Sequence, residues 1–481
     1  MGTDGTPSIE ARESELRQLL RRVLVAWLFG AGWMYLVTGA ALTRYARLLG
    51  VTEFGFGLMA AIPYVAALGQ LPASFVIERF GHRKPLFIVA NVLHRCLWLV
   101  IALIPWLYPP GRQPAGLITL MLVSSFAASL AVPSWYSWIS TMVPGPIRGR
   151  YFSRRTQVGQ MVGLAVTLGV GFALDWAEGI DRVMLSRTLS VLLAFGAVLG
   201  VIDILWFLPI PDRQSAPRNP HVALRDLLLQ PLRNRSFRYY LAFNVTFVFG
   251  IGFVGQFIWL YMFDVARMSN TQANLLLIVG PLVVTLISVP FWGRLIDKLG
   301  RKPVLIIAGI LVIHGSIAWL LITREDWWPG YLVVLVASFA WPGIDLASYN
   351  ILLGMTERKA GSVYVAMNSV AVAVAGALSG LFGGTVAKLM KDWHGTFLGL
   401  PLTYHAVLFL ISCVVRGLAL FWLRGVEEPR AFSVRDAFRY MAVDMYSNLQ
   451  DTLFVPVRLV GRWTYKLVPG RRFIRKPPFG K

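Results

Sequence analysis

The sequence is poor in cysteine and in charge. Its two cysteines, Cys96 and Cys413, both fall within apolar segments, so they indicate neither a disulfide framework nor a metal site. Charged residues account for 15% of the 481 positions and hydrophobic residues for 56%, which excludes an ordinary soluble protein. The first 22 residues are polar and lack the charged start, short apolar core and cleavage site of a signal peptide.

Motifs for catalysis are also scarce. The chain has no glycine-rich phosphate-binding loop of the Walker type, so we expect that ATP hydrolysis does not drive it. His221 and Asp226 have the spacing of an acyltransferase pair but lack the surrounding acyltransferase sequence. With no other constellation of nucleophile, acid and base, we expect neither an enzyme nor a cofactor.

Long apolar runs dominate the chain. A helix needs about 20 apolar residues to cross roughly 30 Å of hydrocarbon, and the sequence contains twelve such runs. Numbered run 1 to run 12, they cover residues 23–43, 54–77, 85–107, 115–142, 156–175, 187–209, 237–263, 271–293, 303–322, 329–354, 361–389 and 401–423. Because they are continuously apolar, without alternation, they predict helices and not a barrel.

The runs divide the chain into five parts. We expect an all-α integral membrane protein with a cytoplasmic N-terminus (1–22), a six-helix bundle (23–209), a linker (210–236), a second six-helix bundle (237–423) and a basic tail (424–481). The tail mixes cations with aromatic residues, so its segment 431–449 could lie on the inner leaflet as an amphipathic helix. A disordered tail is the alternative.

The formal net charge of +22 is unevenly distributed. Of the 46 lysines and arginines, 35 fall on the side of the two termini, 9 on the opposite side and 2, Arg95 and Arg416, inside runs. This asymmetry predicts that both termini are cytoplasmic. It explains the basicity by the anionic inner leaflet and not by nucleic acid. We expect a multi-pass protein of the cell membrane, by preference the bacterial inner membrane.

A short basic hinge occurs twice. The first copy, from Ser74 to Leu86, reads SFVIERFGHRKPL, and the second, from Gly293 to Leu305, reads GRLIDKLGRKPVL. The central glycines of the two copies stand 219 positions apart, and each copy joins two apolar runs. Duplication around a central site is how many secondary transporters are built.

The second copy resembles the signature of the major facilitator superfamily, G-x-L-x-D-R-x-G-R-K. It matches at Gly293, Leu295, Asp297, Gly300, Arg301 and Lys302, with Lys298 in place of arginine. The first copy departs from the signature at Ser74, Glu78 and His82. The resemblance covers residues 23–423 and implies twelve helices in two pseudo-symmetric halves, a midplane solute site and alternating access.

The resemblance also implies a latch between the halves. A carboxylate at the end of one helix can accept hydrogen bonds from free N–H groups at the start of another, assisted by the helix dipole. Glu78 would meet the start of run 11 near residues 361–362, and Asp297 the start of run 5 near Thr156. Nearby cations would pair with these carboxylates or with lipid phosphates. The implied latch residues are Glu78, Arg79, Gly81, Arg83, Gly293, Asp297, Lys298, Gly300, Arg301 and Lys302.

Asp345 is the sharpest candidate for a solute or proton site. It lies deep in run 10, shortly after a Pro-Gly pair that loosens the helix, and ionisable groups within a membrane are functional candidates by default. The resemblance places run 10 beside the central cavity; the alternative is a carboxylate that reaches cytoplasmic water or bonds to a neighbouring helix. The other candidates are polar or aromatic residues inside runs: Tyr35, Gln70, Tyr136, Gln157, Asn244, Gln256, Trp341 and Asn368.

Other residues inside the runs are expected to serve packing. Arg95 and Arg416 are interpreted as structural cations, and Asp203 as a carboxylate solvated near the cytoplasmic end of run 6. Glycines at four-residue spacing predict close approach of helices; they are Gly159, Gly163, Gly376, Gly380 and Gly384.

These patterns predict a secondary transporter that moves a small organic solute, with a proton on Asp345 as one form of coupling. We expect a monomer that contacts anionic lipids and no nucleic acid. Two alternatives stay open. One is translocation of a lipid or lysolipid, favoured by the aromatic content and the tail. The other is a transporter-derived sensor or scaffold that signals through residues 424–481.

Overall fold

The computed structural model describes residues 9–80, 82–212, 231–356, 361–397 and 400–428, with residues 432, 435, 436 and 439 beyond them. This part of the chain is almost entirely helical. It contains eleven helices that are long and apolar enough to cross a membrane, and an interrupted helix occupies the remaining predicted run. The expected all-α membrane fold is therefore confirmed.

Six helices form the first bundle. They are α1 (Ile9–Leu36), α2 (Glu53–Ala67, continuing as Gln70–Phe80), α3 (Arg83–Ala102), α4 (Gln113–Met142), α5 (Gly145–Glu178) and α6 (Arg182–Leu205). Short helical segments connect them at Ala40–Leu48, Ile104–Leu107 and Pro110–Arg112. Within the bundle, α1 packs on α5 and α6, and α3 packs on α4 and α6.

Six helices form the second bundle. They are α7 (Arg235–Ile251), α8 (Asn270–Leu299, with a π-helical turn at Leu275–Val279), α9 (Arg301–Ala318), α10 (Pro329–Thr356), α11 (Gly361–Leu389) and α12 (Tyr404–Trp422). Between α11 and α12 the strands β1 (His394–Phe397) and β2 (Leu400–Thr403) pair in antiparallel register, His394 opposite Thr403. The hydropathy pattern does not predict this hairpin.

Run 7 forms the interrupted helix. After α7 ends, a turn over residues 252–256 leads to a short helix, Phe257–Leu260, and a π-helical turn, Tyr261–Val265. Gly252 lies against Ser379 of α11, where a Cβ atom would overlap the serine hydroxyl. Ser379 donates its hydroxyl proton to the carbonyl of Phe249, which supplies a partner to the backbone beside the break.

Two helices begin earlier than the apolar pattern predicts. α5 begins at Gly145 instead of near Thr156, and α1 begins at Ile9, inside the polar stretch 1–22. In both cases basic and polar residues continue the helix beyond the apolar run, so hydropathy alone places the start too late. Residues 213–230 of the linker and most of the tail, including most of segment 431–449, lie outside the described residues.

The alternating helices give the molecule two ends. One end carries the α2–α3 and α8–α9 turns and the chain on either side of the linker; we call it the hinge end. The opposite end carries the segment Ala40–Leu48, the α5–α6 turn, the start of α8 and the β-hairpin; we call it the clasp end. Apolar packing differs between them. One large core cluster at the clasp end contains buried residues of both bundles, whereas each of the two clusters at the hinge end belongs to one bundle.

Candidate functional site

At the clasp end, a carboxylate of the first bundle caps a helix of the second. Asp175, near the end of α5, accepts hydrogen bonds from the backbone N–H groups of Asn270 (2.7 Å) and Thr271 (3.0 Å), the first residues of α8. Such N–H groups have no partner within their own helix, and the helix dipole favours a negative charge beside them. Ser269 caps the next N–H group, that of Gln272, at 3.2 Å. The start of α8 is thus satisfied in part by the other bundle.

Two arginines that follow α1 bind at the same interface. Arg44 donates to the carboxylate of Glu178 (3.2 Å) and to the side-chain oxygen of Asn270 (2.9 Å). Arg47 pairs with Asp264 of the second bundle. With the further contacts of Glu53 and Asn274, these residues form a group that we call the clasp: Arg44, Arg47, Glu53, Asp175, Glu178, Asp264, Asn270 and Asn274.

The clasp extends into the buried interface. Asn274, which is 1% exposed, donates to the carbonyl of Thr167 in α5 (3.1 Å) and accepts from the backbone N–H of Ala40 (3.3 Å). Both bonds join the two bundles. Because a buried amide that lost these partners would cost about 1–3 kcal/mol, the contacts favour the closed arrangement of this end.

Helices α2 and α11 touch through glycines near the clasp end and separate toward the hinge end. A Cβ atom at Gly57 would lie 2.5 Å from the carbonyl oxygen of Gly380 and from the Cα atom of Gly384, so the predicted close approach is confirmed here. Farther along the same helices, a cavity of about 430 Å³ opens between them. The candidates Gln70 and Asn368 both line it, one from each bundle.

At the hinge end, the second motif copy forms a tight turn. Gly300 has a φ angle of +99°, a backbone conformation that favours glycine. The next two backbone N–H groups, those of Arg301 and Lys302, donate to the carboxylate of Glu428 at 3.0 and 2.8 Å. Lys302 also donates from Nζ to the carbonyl of Val426 (2.8 Å). The start of α9 is therefore capped by the first residues of the tail.

Among the residues that the structure describes, Asp297 does not make the implied latch contact. Asp297 is exposed and makes no hydrogen bond or ion pair with any residue that the structure describes. Its predicted partner near Thr156 is corrected by the fold, because that residue lies well inside α5 and the helix begins at Gly145. Gly293 has no neighbour within 4 Å of a Cβ position. The side chain of Glu78, and Gly81 as a whole, lie outside the described residues.

The remaining cations of the motif have separate contacts. Arg79 is exposed, 5.7 Å from the ring centroid of Phe75, and Lys298 is exposed. Arg83 is buried, where it pairs with Asp212 at 2.7 Å and donates to the carbonyl of Ser137 at 3.2 Å. Arg83 therefore fastens α3 to the chain after α6, within the first bundle.

In the second bundle, three predicted candidates lie on neighbouring helices. Asn244 of α7 donates to Asn368 of α11 (2.9 Å) and accepts from the hydroxyl of Ser348 in α10 (3.3 Å). Trp341 of α10 packs edge-on against Phe247 of α7, with 6.0 Å between the ring centroids. A band of uncharged polar groups thus joins α7, α10 and α11.

Asp345 belongs to the same face of α10. Trp341 and Ser348 lie four residues before it and three after it, so the three side chains share one side of the helix. The Asp345 side chain is exposed and has no hydrogen-bond or ion-pair partner among the described residues. A carboxylate within a span usually faces the bundle interior or a water-filled cavity.

The first bundle contains a cavity of about 250 Å³ between α1, α3, α4, α5 and α6. Arg155 of α5 lies there between Trp27 of α1 and Trp135 of α4, with its guanidinium carbon 3.8 and 5.1 Å from the two ring centroids. Gly159 makes room for the indole of Trp27, which explains part of the predicted glycine spacing. Tyr136, a predicted solute residue, lines the cavity and is 68% exposed.

A buried ion pair lines the same cavity. Arg95 pairs with Asp203 at 3.5 Å, and its guanidinium carbon stands 4.0 Å from the ring centroid of Trp33. The prediction that Asp203 is solvated is wrong, because the carboxylate is buried and the arginine takes the place of water. Gly30 and Gly200 make room for the pair: a Cβ atom would lie 2.7 Å from the Asp203 carboxylate at Gly30 and 2.6 Å from Arg95 at Gly200.

Arg155 is the residue that the sequence pattern misplaces. The charge count assigns it to a cytoplasmic loop, because run 5 begins one residue later, whereas α5 carries it inside the bundle. Pro146, in the first turn of α5, is the signal that could have placed the start of the helix correctly.

The other candidates are dispersed. Tyr35 packs on Gly163 of α5, and Gln157 is exposed on that helix. Gln256 lies in the turn that interrupts run 7. Arg416 is buried and donates to a backbone carbonyl at 3.4 Å, in accord with a structural role.

Comparisons with known proteins identify the family. A family model described as MFS/sugar transport protein matches residues 68–395. Among solved structures, the nucleoside transporter NupG gives a TM-score of 0.64 at 14% identity, over 85% of this chain and 98% of that one. A POT family transporter in complex with a thioalcohol-conjugated peptide gives 0.62 at 13%, over 85% and 96%. The xylose transporter XylE from E. coli, in a partially occluded inward-open conformation, gives 0.60 at 15%, over 86% and 100%.

No functionally curated protein sequence matches the chain. At these identities the solved structures establish the fold and not the solute. The family match extends over more than half of the chain and confirms the resemblance carried by the hinge motif. The chain therefore belongs to the MFS/sugar transport protein family and is a multi-pass membrane transporter.

Proposed function

We propose that this protein is a secondary active transporter that carries a small organic solute by alternating access. The observation that supports the proposal is the unequal state of the two ends. At the clasp end, hydrogen bonds, ion pairs and one apolar cluster join the bundles. Toward the hinge end, α2 and α11 separate around a cavity and the apolar clusters belong to single bundles. A solute path closed at one end and open at the other is what alternating access requires.

The charge asymmetry of the sequence supports an orientation. With the termini in the cytoplasm, the hinge end faces the cytoplasm and the clasp end faces the opposite side. The arrangement described here would then be the inward-facing state, in a bacterial inner membrane.

The exchange between states would use helices α5 and α8 at both of their ends. Asp175 near the end of α5 caps the start of α8, and Asp297 stands near the end of α8 on the side where α5 begins. When the hinge end closes, Asp297 would cap the first N–H groups of α5, from Gly145 onward, while Asp175 releases α8. Glu78 would do the same for α11, which begins at Gly361.

Coupling to protons would use Asp345. Its carboxylate is the charged group on the face of α10 that carries Trp341 and Ser348, and it has no charged partner among the described residues. A carboxylate that exchanges a proton as the site changes its exposure can link solute movement to a proton gradient.

The test is solute uptake into proteoliposomes that contain the full chain, with and without an inward proton gradient. We expect gradient-driven accumulation in the wild-type protein and its loss in Asp345→Asn. The matched control is Glu325→Gln, which removes an exposed carboxylate from the same bundle and should leave uptake unchanged. Accumulation that survives Asp345→Asn would contradict the proton role alone. Saturable binding without flux under any gradient would contradict transport and favour the sensor alternative.

The gap between α2 and α11 supports a second candidate, the translocation of a lipid. Leu71 and Phe75, both on α2, are 50% and 59% exposed, and Leu71 lines the cavity shared with α11. An apolar lateral opening of this kind is what a lipid substrate needs. A lipid-flipping assay with labelled phospholipid in the same proteoliposomes separates the two candidates, because a carrier of soluble solutes leaves the leaflet distribution of the label unchanged.

A further inference from the structure

We propose that the guanidinium of Arg155 binds the anionic group of the transported solute, a carboxylate or a phosphate. This inference rests on the proposed transport function and adds a substrate class to it, that of organic anions. It is carried by the aromatic contacts of Arg155, by the charge balance of its cavity and by the arginines of a neighbouring cleft.

The aromatic enclosure holds the guanidinium in one orientation. The guanidinium carbon lies 3.8 Å from the ring centroid of Trp27 and 5.1 Å from that of Trp135, which belong to two other helices. Cation–π attraction of this kind strengthens when water is excluded. The Nε atom is buried without a hydrogen-bond partner among the described residues. A guanidinium that lies over aromatic rings keeps its donors at its edges, and the planar fork of donors fits two oxygens of a carboxylate or phosphate.

The charge balance of the cavity is positive. Its charged lining residues are Arg95, Arg155 and Asp203. Asp203 forms its ion pair with Arg95, whereas Arg155 has no ion pair with any residue that the structure describes. With one carboxylate for two guanidinium groups, the cavity lacks one counter-charge, which is unfavourable inside a membrane protein. A bound anion would supply that counter-charge.

A basic cleft also lies on the two helices that carry Trp27 and Arg155. A second cavity, of about 680 Å³, lies between α1 and α5 on the hinge side of Arg155. Its described lining contains apolar side chains, one tyrosine and no acid. It also contains four arginines, Arg17, Arg21, Arg150 and Arg154. A cleft of one charge sign raises the local concentration of the opposite charge and speeds its entry.

The dimensions fit a small group and not a whole solute. About 250 Å³ is below the usual range for a complete ligand site, roughly 300–1,000 Å³. The anionic group would therefore occupy the Arg155 cavity while the rest of the solute extends past the exposed ring of Tyr136. A small cavity can serve a larger organic molecule in this way, because it needs to hold only the anionic group.

The binding test uses the full chain in lipid nanodiscs and isothermal titration calorimetry with matched probe pairs. The pairs are glucuronate with glucose, uridine 5′-monophosphate with uridine, and lysophosphatidylglycerol with monoacylglycerol. At least one anionic member should bind about tenfold more tightly than its neutral partner. Arg155→Gln should weaken that binding by about 10- to 100-fold, as expected for the loss of a charge-assisted hydrogen bond. Arg155→Lys, which keeps the charge but not the fork, should recover part of it.

The control is Arg187→Gln, which removes an exposed arginine of α6 away from the cavity and should leave the binding unchanged. The lysolipid pair shows whether the anionic group belongs to a lipid or to a soluble solute. The inference is overturned if the neutral partners bind as tightly as the anionic probes, or if no anionic probe binds. It is equally overturned if Arg155→Gln and the control Arg187→Gln weaken the binding by the same factor. It is also overturned if adding Asp345→Asn to Arg155→Gln restores the solute uptake that Arg155→Gln abolishes, because Arg155 would then serve as the partner of Asp345.

The outcomes separate this inference from the proposed function. Gradient-driven flux of a neutral solute, unaffected by Arg155→Gln, would leave transport in place and contradict the anion site. Saturable anion binding that depends on Arg155, with no flux under any gradient, would support the site and contradict transport.

Discussion

Among the described residues, hydrogen bonds join helices α5 and α8 at one end and not at the other. At the clasp end, Asp175 of α5 accepts two backbone hydrogen bonds from the start of α8. At the hinge end, Asp297 of α8 is exposed without a hydrogen-bond partner among the described residues. Each carboxylate stands near the end of its own helix and on the side where the other helix begins. The comparison teaches that a pair of rigid antiparallel helices can carry the same capping device twice, and that rocking the pair would close one device while it opens the other.

The largest expected effect comes from blocking the clasp end sterically. In Gly57→Ala, the new Cβ atom would lie 2.5 Å from backbone atoms of Gly380 and Gly384, which cannot turn aside as a side chain could. Overpacking of this kind costs typically about 1–3 kcal/mol, and we expect it to favour the clasp-open arrangement. The measurement is the distance between spin labels on opposite bundles at the clasp end, at Arg182 and Glu325, in a background without Cys96 and Cys413.

The control for that experiment is Gly169→Ala. Gly169 is also a helical glycine, but nothing lies within 4 Å of its Cβ position, so the label distances should stay at their wild-type values. If Gly57→Ala leaves the distances equally unchanged, the α2–α11 contact is not what limits the closure of this end.

A smaller effect is expected from the cap itself. Asp175→Asn removes the negative charge that accepts from Asn270 and Thr271, and we expect the clasp end to lose about 1–2 kcal/mol of closed-state stability. The same label pair should report a larger open fraction. Asp181→Asn is the control, because Asp181 caps α6 within its own bundle; an equal change in both variants would contradict a specific role for Asp175.

The smallest effect on this arrangement is expected from Asp297→Asn. Because Asp297 makes no hydrogen bond or ion pair with any described residue here, the label distances at the clasp end should not change. Net uptake should fall several-fold, since the state with the hinge end closed would lose its cap. A shift of the clasp-end distances toward those of Asp175→Asn would show that Asp297 already acts in the present state and would break the comparison.

Features with a local cause are the ones that the sequence predicts well. The apolar runs are readable because span length and continuity depend on neighbouring residues alone. The hinge is readable for the same reason, since a turn that needs φ near +99° calls for glycine at position 300. The glycines of α11 also have the four-residue spacing that close helix contact requires.

Features that depend on packing between distant segments are not readable in this way. Asp203 appears solvated from its place near the end of a run, but Arg95, which lies 108 residues away, pairs with it inside the bundle. Asp175 has the sequence context of an ordinary carboxylate at a span end; only the position of α8 makes it a cap. The apolar pattern assigns Arg155 to a loop, because hydropathy marks where a helix becomes apolar and not where it begins.

The cap at the clasp end also has a genetic consequence. The backbone N–H groups of Asn270 and Thr271 donate to the Asp175 carboxylate, and every residue except proline supplies such a group. The backbone bond at Thr271 therefore survives any substitution except proline that still fits against Gly171 of α5. A suppressor selection that starts from a protein without the Asp175 carboxylate should accordingly find no compensating substitution at Thr271. Side-chain control of this contact rests on Asp175 in the first bundle and, in the second, on Asn270, whose side-chain amide donates to the same carboxylate at 2.9 Å.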